Sequence, residues 1–182
     1  MKIIYETERL IVRQWEDDDI YDLYEYCKNP ETAKFLHFEP YKSIEDAKIR
    51  IQNIKTKYLE CGHIAPYAVV LKAENKVIGD INIVSHTKPA GGCVRIGYVF
   101  NQKYWGKGYA TEAVKGVFKF IKQNKIAKRI EATHDVSNEK SGNVMKRAGM
   151  TLEGFLRKAG ENNFHSRYDV ALYSILEEEI QD

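Results

Sequence analysis

The spacing of apolar residues along this chain changes repeatedly between the period of a strand and the period of a helix. Runs rich in β-branched and aromatic residues predict strands, because such side chains suit a pleated, half-buried surface. Apolar residues that recur every three or four positions predict helices with one buried face. On these grounds, strands are expected at 10–13, 67–71, 77–84, 94–100, 129–134, 154–157 and 168–175. Helices are expected after the acidic run at 16–19, from Ser43 to Tyr58, over 108–125 and around 144–148.

The order of these elements predicts a mixed sheet. The three strands between residues 67 and 100 are joined by short links, which favours an antiparallel meander. The helix at 108–125 then separates two strands without a hairpin, so those strands should be parallel and joined by a right-handed crossover. No internal repeat, linker or low-complexity segment divides the sequence. The fold class is therefore predicted as α/β, with one mixed sheet in a single domain over residues 1–182.

Composition narrows the function without identifying one. The chain has 182 residues, 43% hydrophobic and 30% charged, and its formal net charge of +2 argues against a dedicated nucleic-acid binder. Its first residues contain no apolar run that suits a signal peptide, and no segment approaches the ~18 apolar residues that span a bilayer. Cys27, Cys61 and Cys93 lack CxxC spacing, which favours free thiols over disulfides or a zinc site. A cytoplasmic protein without a metal is expected.

The stretch from Tyr104 to Glu112 is the strongest functional signal in the sequence. It joins a predicted strand to a predicted helix and holds Gly106 and Gly108, whose backbone N–H groups can approach a ligand that a Cβ would keep away. The unpaired N–H groups and the positive dipole end of the next helix point into the same space. An anion such as a phosphate is the expected occupant, although two glycines at such a junction also suit a simple tight turn.

Two well-known phosphate-binding patterns do not fit this stretch. A Walker loop needs a glycine near Asn101 and Ser or Thr directly after the lysine, where Gly108 stands. A dinucleotide fingerprint needs glycine in place of Thr111, and it follows the first strand of a βαβ unit. A phosphate-loop nucleotide binder is therefore a disfavoured hypothesis.

The run W-G-K-G-Y-A at 105–110 resembles the acyl-CoA pyrophosphate loop of the GCN5-related N-acetyltransferases (GNAT), whose short form is Q/R-x-x-G-x-G/A. An aromatic residue in the first position is usual in the branch that contains the ribosomal-protein N-terminal acetyltransferases. The opening T-E-R-L-I-V-R at 7–13 is also typical of this branch. So are the patterns N-x-x-S, V-M-x-x-x-G-M and E-G between residues 138 and 154. The resemblance covers residues 7–175.

The resemblance implies an N-acetyltransferase that moves an acetyl group from acetyl-CoA to a primary amine. Its GNAT fold would splay the two parallel strands apart to admit the cofactor, and transfer would be direct, in a ternary complex without a metal or a covalent enzyme intermediate. Ser141 would be the general acid and Asn138 would bind the pantetheine arm, although both residues also suit a helix cap. By the same resemblance the cofactor-binding residues are Tyr98, Val99, Phe100, Trp105, Gly106, Lys107, Gly108, Tyr109, Ala110, Thr111 and Asn138.

The general base is the least defined part of the predicted site. Many members of the family carry Glu two residues before the Ile-Gly-Tyr of this strand, near the place of Arg95, and arginine accepts no proton at neutral pH. A lysine amine of pKa ~10.4 needs roughly 4.6 kcal/mol to lose its proton at pH 7, whereas an α-amine of pKa ~7.7–8.0 needs about 1 kcal/mol. The sequence therefore favours a low-pKa amine. His134, Asp80, Glu153 and a water chain all stay open as the base, with His134 a candidate to test.

The sequence leaves open both the acceptor substrate and the oligomeric state. The acceptor could be a ribosomal-protein N-terminus or a small amine such as a polyamine, an amino acid or an antibiotic. The aromatic cluster around His37 is one candidate for contacting it. No nucleic-acid or membrane partner is expected, and a homodimer is left open. The rival hypothesis from another class is a catalytically inert acyl-CoA-binding sensor, which Arg95 favours.

Overall fold

The computed structural model describes residues 2–36, 38–60, 64–85, 92–161 and 166–181. The strands are β1 (Ile3–Glu6), β2 (Leu10–Arg13), β3 (Pro66–Leu71), β4 (Lys76–Ser85), β5 (Cys93–Phe100), β6 (Arg129–Asp135), β7 (Thr151–Glu161) and β8 (Arg167–Leu176). The helices are α1 (Ile20–Cys27), α2 (Pro30–Ala33), α3 (Ile44–Glu60), α4 (Tyr109–Gln123) and α5 (Glu139–Ala148). Within the described ranges the strands form one sheet in the order β1-β2-β3-β4-β5-β6-β8-β7. The predicted class, a mixed α/β sheet flanked by helices, is confirmed.

Strands β1 to β5 follow one another in the sheet and are antiparallel, which confirms the predicted meander. The turn between β3 and β4 places Asn75 at a φ of 47°, a conformation that asparagine adopts more readily than most residues. Strand β1 was not predicted. It has only four residues, lies at the sheet edge and is half-exposed, so its apolar pattern is too short to stand out.

Strand β5, helix α4 and strand β6 form the predicted parallel crossover. Strands β5 and β6 pair only between residues 93–95 and 129–131. Beyond these residues β5 continues to Phe100 along β4, and β6 continues to Asp135 along β8. The two strands separate because each follows a different antiparallel neighbour. The predicted splay is therefore confirmed.

The helices divide between the two faces of the sheet. Helices α4 and α5 pack on one face, where Val114, Phe118 and Met145 belong to the larger apolar core. Helices α1 and α3 pack on the other face, where Leu23 and Ile51 belong to a second core. No helix in the described ranges is long and apolar enough to cross a membrane.

Glycine and asparagine residues mark several helix ends. Gly108, with a φ of 83°, precedes α4, and Gly149, with a φ of 98°, ends α5. Asn29 follows α1 and caps α2, because its Oδ1 accepts a hydrogen bond from Glu31 N at 3.0 Å.

The two closing strands are present as the antiparallel pair β7 and β8, which confirms their prediction. Strand β8 lies between β6 and β7, so that β7 forms the outer edge of the sheet. The sequence places the turn between these two strands at 160–163, but Gly160 and Glu161 belong to β7. Residues 162–163 and the predictions made for His37 and Cys61 lie outside the described residues.

Candidate active site

The separation of β5 from β6 leaves backbone groups of β5 facing an opening in the sheet. The N–H of Asn101 donates to Ile78 O of β4 at 2.8 Å, which fixes the residues of β5 that point at β4. Because this direction alternates along an antiparallel pair, Val99 points its backbone groups at β4, while Tyr98 and Phe100 point theirs at the opening. Tyr98 and Phe100 therefore present N–H donors to this opening.

The loop between β5 and α4 is open on its outer side. Gly106 and Gly108 have φ values of 76° and 83°, a region that residues with a Cβ enter only at a cost. An added Cβ would meet nothing within 4 Å at Gly106, and only Arg9 Nη2, at 3.5 Å, at Gly108. Trp105 ties the loop to β5 by donating from Nε1 to Phe100 O at 2.7 Å. The space beside the loop can therefore hold a ligand.

The first turn of α4 faces the same space. An α-helix leaves its first N–H groups without an intrahelical acceptor, and in α4 these belong to Tyr109, Ala110 and Thr111. The positive end of the helix dipole coincides with them. Together the loop and this first turn form a cradle of N–H groups for an anion.

An arginine from the N-terminal segment is held beside this cradle, and the sequence did not single it out. Glu112 accepts hydrogen bonds from Arg9 Nε at 2.6 Å, from Arg9 N at 2.9 Å and from Thr7 Oγ1 at 2.6 Å. Arg9 also donates to Lys107 O at 3.1 Å, and its guanidinium lies 4.5 Å from the centre of the Tyr109 ring. Burial raises the pKa of Glu112, but the hydrogen bonds from Thr7 and Arg9 outweigh it and hold the pKa below its usual value. The one feature of the sequence that pointed to Arg9 was its position in the T-E-R-L-I-V-R run at 7–13.

Two lysines border the opening. Lys107 is exposed, and its Nζ lies 5.3 Å from the centre of the Tyr104 ring. Lys140, in the first turn of α5, places its Nζ 4.8 Å from the centre of the Trp105 ring. Helix α5 and the loop therefore approach each other across the opening, and both lysines add positive charge to it.

The start of α5 lies beside the opened part of β5. Asn138 is the N-cap of α5, and its Oδ1 accepts a hydrogen bond from Ser141 N at 3.2 Å. The Oγ of Ser141 lies 3.0 Å from the hydroxyl of Tyr98, which also donates to Ser141 O at 2.9 Å. The capping role that the sequence allowed for Asn138 is thus present. The structure adds the Tyr98 hydroxyl, which no sequence pattern indicated, to the surroundings of Ser141.

His134 lies on the α5 side of β6. Its Nδ1 is 2.7 Å from Asp135 O, and a Cβ on Gly142 would lie 2.7 Å from its Nε2. The imidazole centre is 5.7 Å from the ring centre of Tyr173. Within the described residues, Nε2 is buried without a hydrogen-bond partner. These contacts pack His134 against α5, and its role as a base stays a prediction.

The opposite face of the sheet carries a row of paired charges across β5, β6 and β7. Arg95 donates to Glu131 at 3.2 Å, and Arg129 donates to the same carboxylate at 3.0 Å. Arg129 also donates to Glu153 at 2.9 Å, and Ser174 donates to Glu153 as well. Burial raises the pKa of Glu131, but hydrogen bonds from both arginines hold it below its usual value. The hydrogen bonds from Ser174 and Arg129 likewise lower the pKa of Glu153, which makes this carboxylate a weak base.

The described cysteines are not activated as nucleophiles. Cys27 is buried, and that burial raises the pKa of its thiol well above the ordinary value. Burial, with the charge of Glu131 next, also raises the pKa of Cys93. Thiols with raised pKa values carry little thiolate at neutral pH. In the part of the chain that the structure describes, no three His, Cys, Asp or Glu side chains are grouped to hold a metal ion.

The opening thus combines three kinds of group. The cradle suits a pyrophosphate, the N–H groups of Tyr98 and Phe100 suit a carbonyl oxygen, and the hydroxyls of Tyr98 and Ser141 can supply a proton. A thioester on a phosphate-bearing carrier would use all three.

Sequence comparison supports this interpretation. The acetyltransferase (GNAT) domain family matches residues 9–151 of the chain. The uncharacterized N-acetyltransferase YnaD of Bacillus subtilis is 34% identical over 173 residues, which cover 95% of this chain and 96% of that protein. The [ribosomal protein uS5]-alanine N-acetyltransferase of Escherichia coli is 25% identical over 165 residues, covering 86% of this chain and 82% of that protein.

Solved structures share the same fold. A GNAT-family acetyltransferase from Bacillus anthracis superposes with a TM-score of 0.84 at 30% identity, covering 98% of this chain and 99% of that one. The microcin C7 self-immunity acetyltransferase MccE, in complex with acetyl-CoA and AMP, has a TM-score of 0.82 at 23% identity, with 93% of each chain covered. The ribosomal L7/L12 α-N-protein acetyltransferase RimL, in complex with coenzyme A, has a TM-score of 0.83 at 21% identity, covering 96% and 98%.

Proposed function

This chain belongs to the GNAT acetyltransferase family, and we propose that the amine it acetylates is the α-amine of a peptide N-terminus. Acetyl-CoA-dependent N-acetylation is the activity of the family, and the proposal concerns the identity of the acceptor. The observation that carries the proposal is the ion pair between Arg95 and Glu131. It places a cation where many members of the family carry a glutamate base, so that an amine of low pKa is the better acceptor.

The groups along the opening support acetyl-CoA as the donor. The N–H groups from Gly106 to Thr111 would hold its pyrophosphate, with Arg9 and Lys107 adding positive charge. The N–H groups of Tyr98 and Phe100 would bind oxygens of the pantetheine arm or the thioester carbonyl. Losing one such donor at a reacting carbonyl costs roughly 10²–10³ in rate.

The start of α5 supports the protonation of the leaving sulfur. The hydroxyl of Ser141 would donate the proton, with the hydroxyl of Tyr98 beside it as a relay. Asn138 uses its Oδ1 for the helix cap, and its Nδ2 would contact the pantetheine arm. Direct transfer in a ternary complex agrees with the raised pKa values of Cys27 and Cys93.

The acceptor would approach from the face of the sheet opposite α4 and α5. On the α5 side, the contacts of Tyr98 with Ser141 and of His134 with Gly142 occupy the space beside the opening. On the other face Gly97 has no side chain, and the amide of Asn82 lies beside it, 3.1 Å from where a Cβ would stand. That face is therefore the route by which an amine can reach the opened strand.

An α-amine suits this site better than a lysine side chain. At pH 7 the α-amine, of pKa ~7.7–8.0, needs about 1 kcal/mol to become neutral, whereas a lysine amine of pKa ~10.4 needs roughly 4.6 kcal/mol. Arg95 cannot accept the proton that has to leave. The similar enzyme of Escherichia coli is named for an alanine of ribosomal protein uS5, which agrees with a protein amine as the acceptor.

An acceptor screen on the wild-type protein tests the proposal. Isothermal titration measures acetyl-CoA binding, and release of the free thiol is followed with peptides that begin with Ala or Ser, with Nα-acetyl-lysine and with spermidine. Peptide amines are expected to react at least about tenfold faster than Nα-acetyl-lysine at pH 7, because far more of the α-amine is neutral. Equal or faster release with Nα-acetyl-lysine or spermidine would reject the α-amine. Acetyl-CoA binding without release from any amine would favour the inert sensor instead.

A further inference from the structure

Asp80, on β4, is a buried carboxylate that is only half satisfied by hydrogen bonds. It is 3% exposed, and its Oδ2 accepts a hydrogen bond from the Tyr26 hydroxyl at 2.9 Å. Its Oδ1 is buried too and, in the described part of the chain, has no hydrogen-bond partner. Most buried side-chain polar atoms have a partner, so a carboxylate oxygen without one requires an explanation.

Asp80 lies one strand away from the opening in the sheet, on the far side of β5. It pairs with Val99 of β5, and side chains of directly paired residues project from the same face with Cβ atoms roughly 4.5–5.5 Å apart. Val99 stands between Tyr98 and Phe100, whose N–H groups face the opening. Asp80 projects from the face opposite α4 and α5, which is the face from which the acceptor would approach.

The groups around Asp80 come from α1, from α3 and from the segment that precedes α3. Burial raises the pKa of Asp80, while the charge of Arg50 and the hydrogen bond from Tyr26 oppose that rise without cancelling it. Burial also raises the pKa values of the neighbouring phenols and of the Cys27 thiol, so these stay neutral at pH 7. The titratable and charged neighbours are Tyr26 and Cys27 on α1, Tyr41 before α3, and Arg50 and Tyr58 on α3.

We propose that Asp80 receives the amino group of the acceptor and takes its proton. The proposal rests on the proposed function, because it assigns a step that amine acetylation needs and that Arg95 cannot supply. An α-amine stays the better acceptor, because a carboxylate takes a proton more readily from an ammonium group of lower pKa. Oδ1 offers the lone pair, while Tyr26 holds the other carboxylate oxygen. A primary ammonium group brings both a positive charge and hydrogen-bond donors to an unpaired carboxylate oxygen. It would reach Oδ1 by displacing the side chains that now shield this atom.

The protons and electron pairs of the transfer balance. The ammonium gives one proton to Asp80 Oδ1, and the freed nitrogen lone pair forms a C–N bond with the thioester carbonyl carbon. The C–S bond breaks with its electron pair on sulfur. The sulfur receives a second proton from nitrogen by way of the Ser141 and Tyr98 hydroxyls. Asp80 returns its own proton to solvent when the acetylated product leaves.

The other candidate bases are less well placed for this step. His134 packs against α5, on the opposite face of the sheet from Asp80. Glu153 accepts hydrogen bonds from Arg129 and Ser174, which lower its pKa and its basicity. Asp80 combines a raised pKa with an oxygen that no described residue hydrogen-bonds, on the face that the acceptor would use.

Three variants of the full chain test the proposal. Asp80→Asn removes the proton acceptor and keeps the side-chain shape, and Tyr26→Phe removes one hydrogen bond to the carboxylate. Asp19→Asn is the matched control, because Asp19 is another buried carboxylate, 6% exposed, and is bound to Arg13 at 2.7 Å. Each variant is measured for acetyl-CoA binding, for its unfolding midpoint and for the pH dependence of kcat with a peptide that begins with Ala.

The proposal predicts a specific result for each variant. Asp80→Asn should bind acetyl-CoA within about twofold of wild type and lose about 10²-fold or more in kcat. In the wild type, kcat should fall as the pH drops through the pKa of Asp80, because a protonated carboxyl accepts no proton. Tyr26→Phe should move this decline to higher pH, because the hydrogen bond from Tyr26 lowers the pKa of Asp80. Asp19→Asn should lower the unfolding midpoint and leave the decline where it is.

Two results would overturn the proposal. The first is a wild-type kcat in Asp80→Asn, and the second is an unchanged pH profile of kcat in Tyr26→Phe. The second result still tests the proposal if Asp80→Asn does not fold. A wild-type protein that binds acetyl-CoA but transfers to no amine would overturn the proposed function together with the role of Asp80. That outcome is distinguishable, because the unmodified protein itself fails.

Discussion

The hydroxyl oxygen of Tyr98 lies 3.0 Å from Oγ of Ser141, although 43 residues separate them along the chain. Tyr98 also donates to Ser141 O at 2.9 Å, which joins the opened part of β5 to the first turn of α5. Burial raises the pKa of Tyr98, so its hydroxyl stays protonated at neutral pH. Two hydroxyl groups therefore meet where the sequence predicted one.

Removal of either hydroxyl should slow transfer without weakening acetyl-CoA binding. Ser141→Ala and Tyr98→Phe are each expected to lower kcat by about 10²-fold, the scale of general acid catalysis. If the two hydroxyls act as one relay, the double variant should be no slower than the slower single variant. Steady-state kinetics and titration with acetyl-CoA measure both effects. Ser137→Ala is the control, since its hydroxyl is exposed and donates to Asp135 Oδ1 at 2.7 Å. Wild-type turnover in Ser141→Ala would remove Ser141 from the mechanism.

The cradle should depend on Gly108 for function as well as for conformation. Gly108→Ala and Gly149→Ala both place a Cβ at a positive φ, and each should cost about 1–2 kcal/mol in unfolding free energy. Only the change at Gly108 should weaken acetyl-CoA binding, because Gly149 ends α5 away from the loop. Gly108→Glu should abolish binding by adding a carboxylate where a phosphate would lie. Unchanged acetyl-CoA affinity in Gly108→Glu would rule out the loop as the anion site.

Arg9 should contribute to cofactor binding although it belongs to the N-terminal segment. Arg9→Gln removes a charge that Glu112 holds beside the cradle, and acetyl-CoA affinity should fall about tenfold, or about 1.4 kcal/mol. Lys119→Gln removes one charge from the solvent-facing side of α4 and is the matched control. Titration at two salt concentrations compares the variants. Equal losses in the two variants would show a general charge effect and contradict a specific role for Arg9.

Part of the acid stability of the fold should depend on Glu25. Its carboxylate accepts hydrogen bonds from Lys103 and Lys76, both at 2.6 Å, and these bonds lower its pKa to about 2. Because the folded pKa lies below the unfolded value of ~4.3, this stabilisation is present above the unfolded pKa and is lost as pH falls toward 2. With Lys103 largely exposed, solvent screening limits the loss in Glu25→Gln to about 1 kcal/mol at pH 7.

Urea unfolding at several pH values measures the effect of Glu25. The difference in stability between wild type and Glu25→Gln should narrow steadily as the pH falls below about 4. Glu45→Gln is the control, since Glu45 forms an exposed pair with Lys48 on α3. A difference that stays constant down to pH 2.5 would contradict the assignment.

The elements were predictable because they follow from local patterns. The apolar face of α4, the glycines at 108 and 149 and the alternation in β4 and β5 each lie within a few residues of sequence. The parallel crossover also followed, since a helix between two strands leaves few arrangements. The edge strand β1 was missed because four half-exposed residues carry too little pattern. The insertion of β8 between β6 and β7 depends on pairing between distant segments, which no local period encodes.

The residues of the site likewise fall into those that local sequence indicated and those that only packing brought together. The cradle, Asn138 and Ser141 lie in contiguous motifs, so the sequence could name them as candidates. The contacts of Arg9 with Glu112, of Tyr98 with Ser141 and of Asp80 with Tyr26 join residues that are 103, 43 and 54 positions apart. Such contacts arise only when strands and helices pack. The sequence therefore predicted the donor and the loop that would hold it. The packing of α1 and α3 against β4 left one carboxylate oxygen of Asp80 buried with no hydrogen bond from any residue that the structure describes.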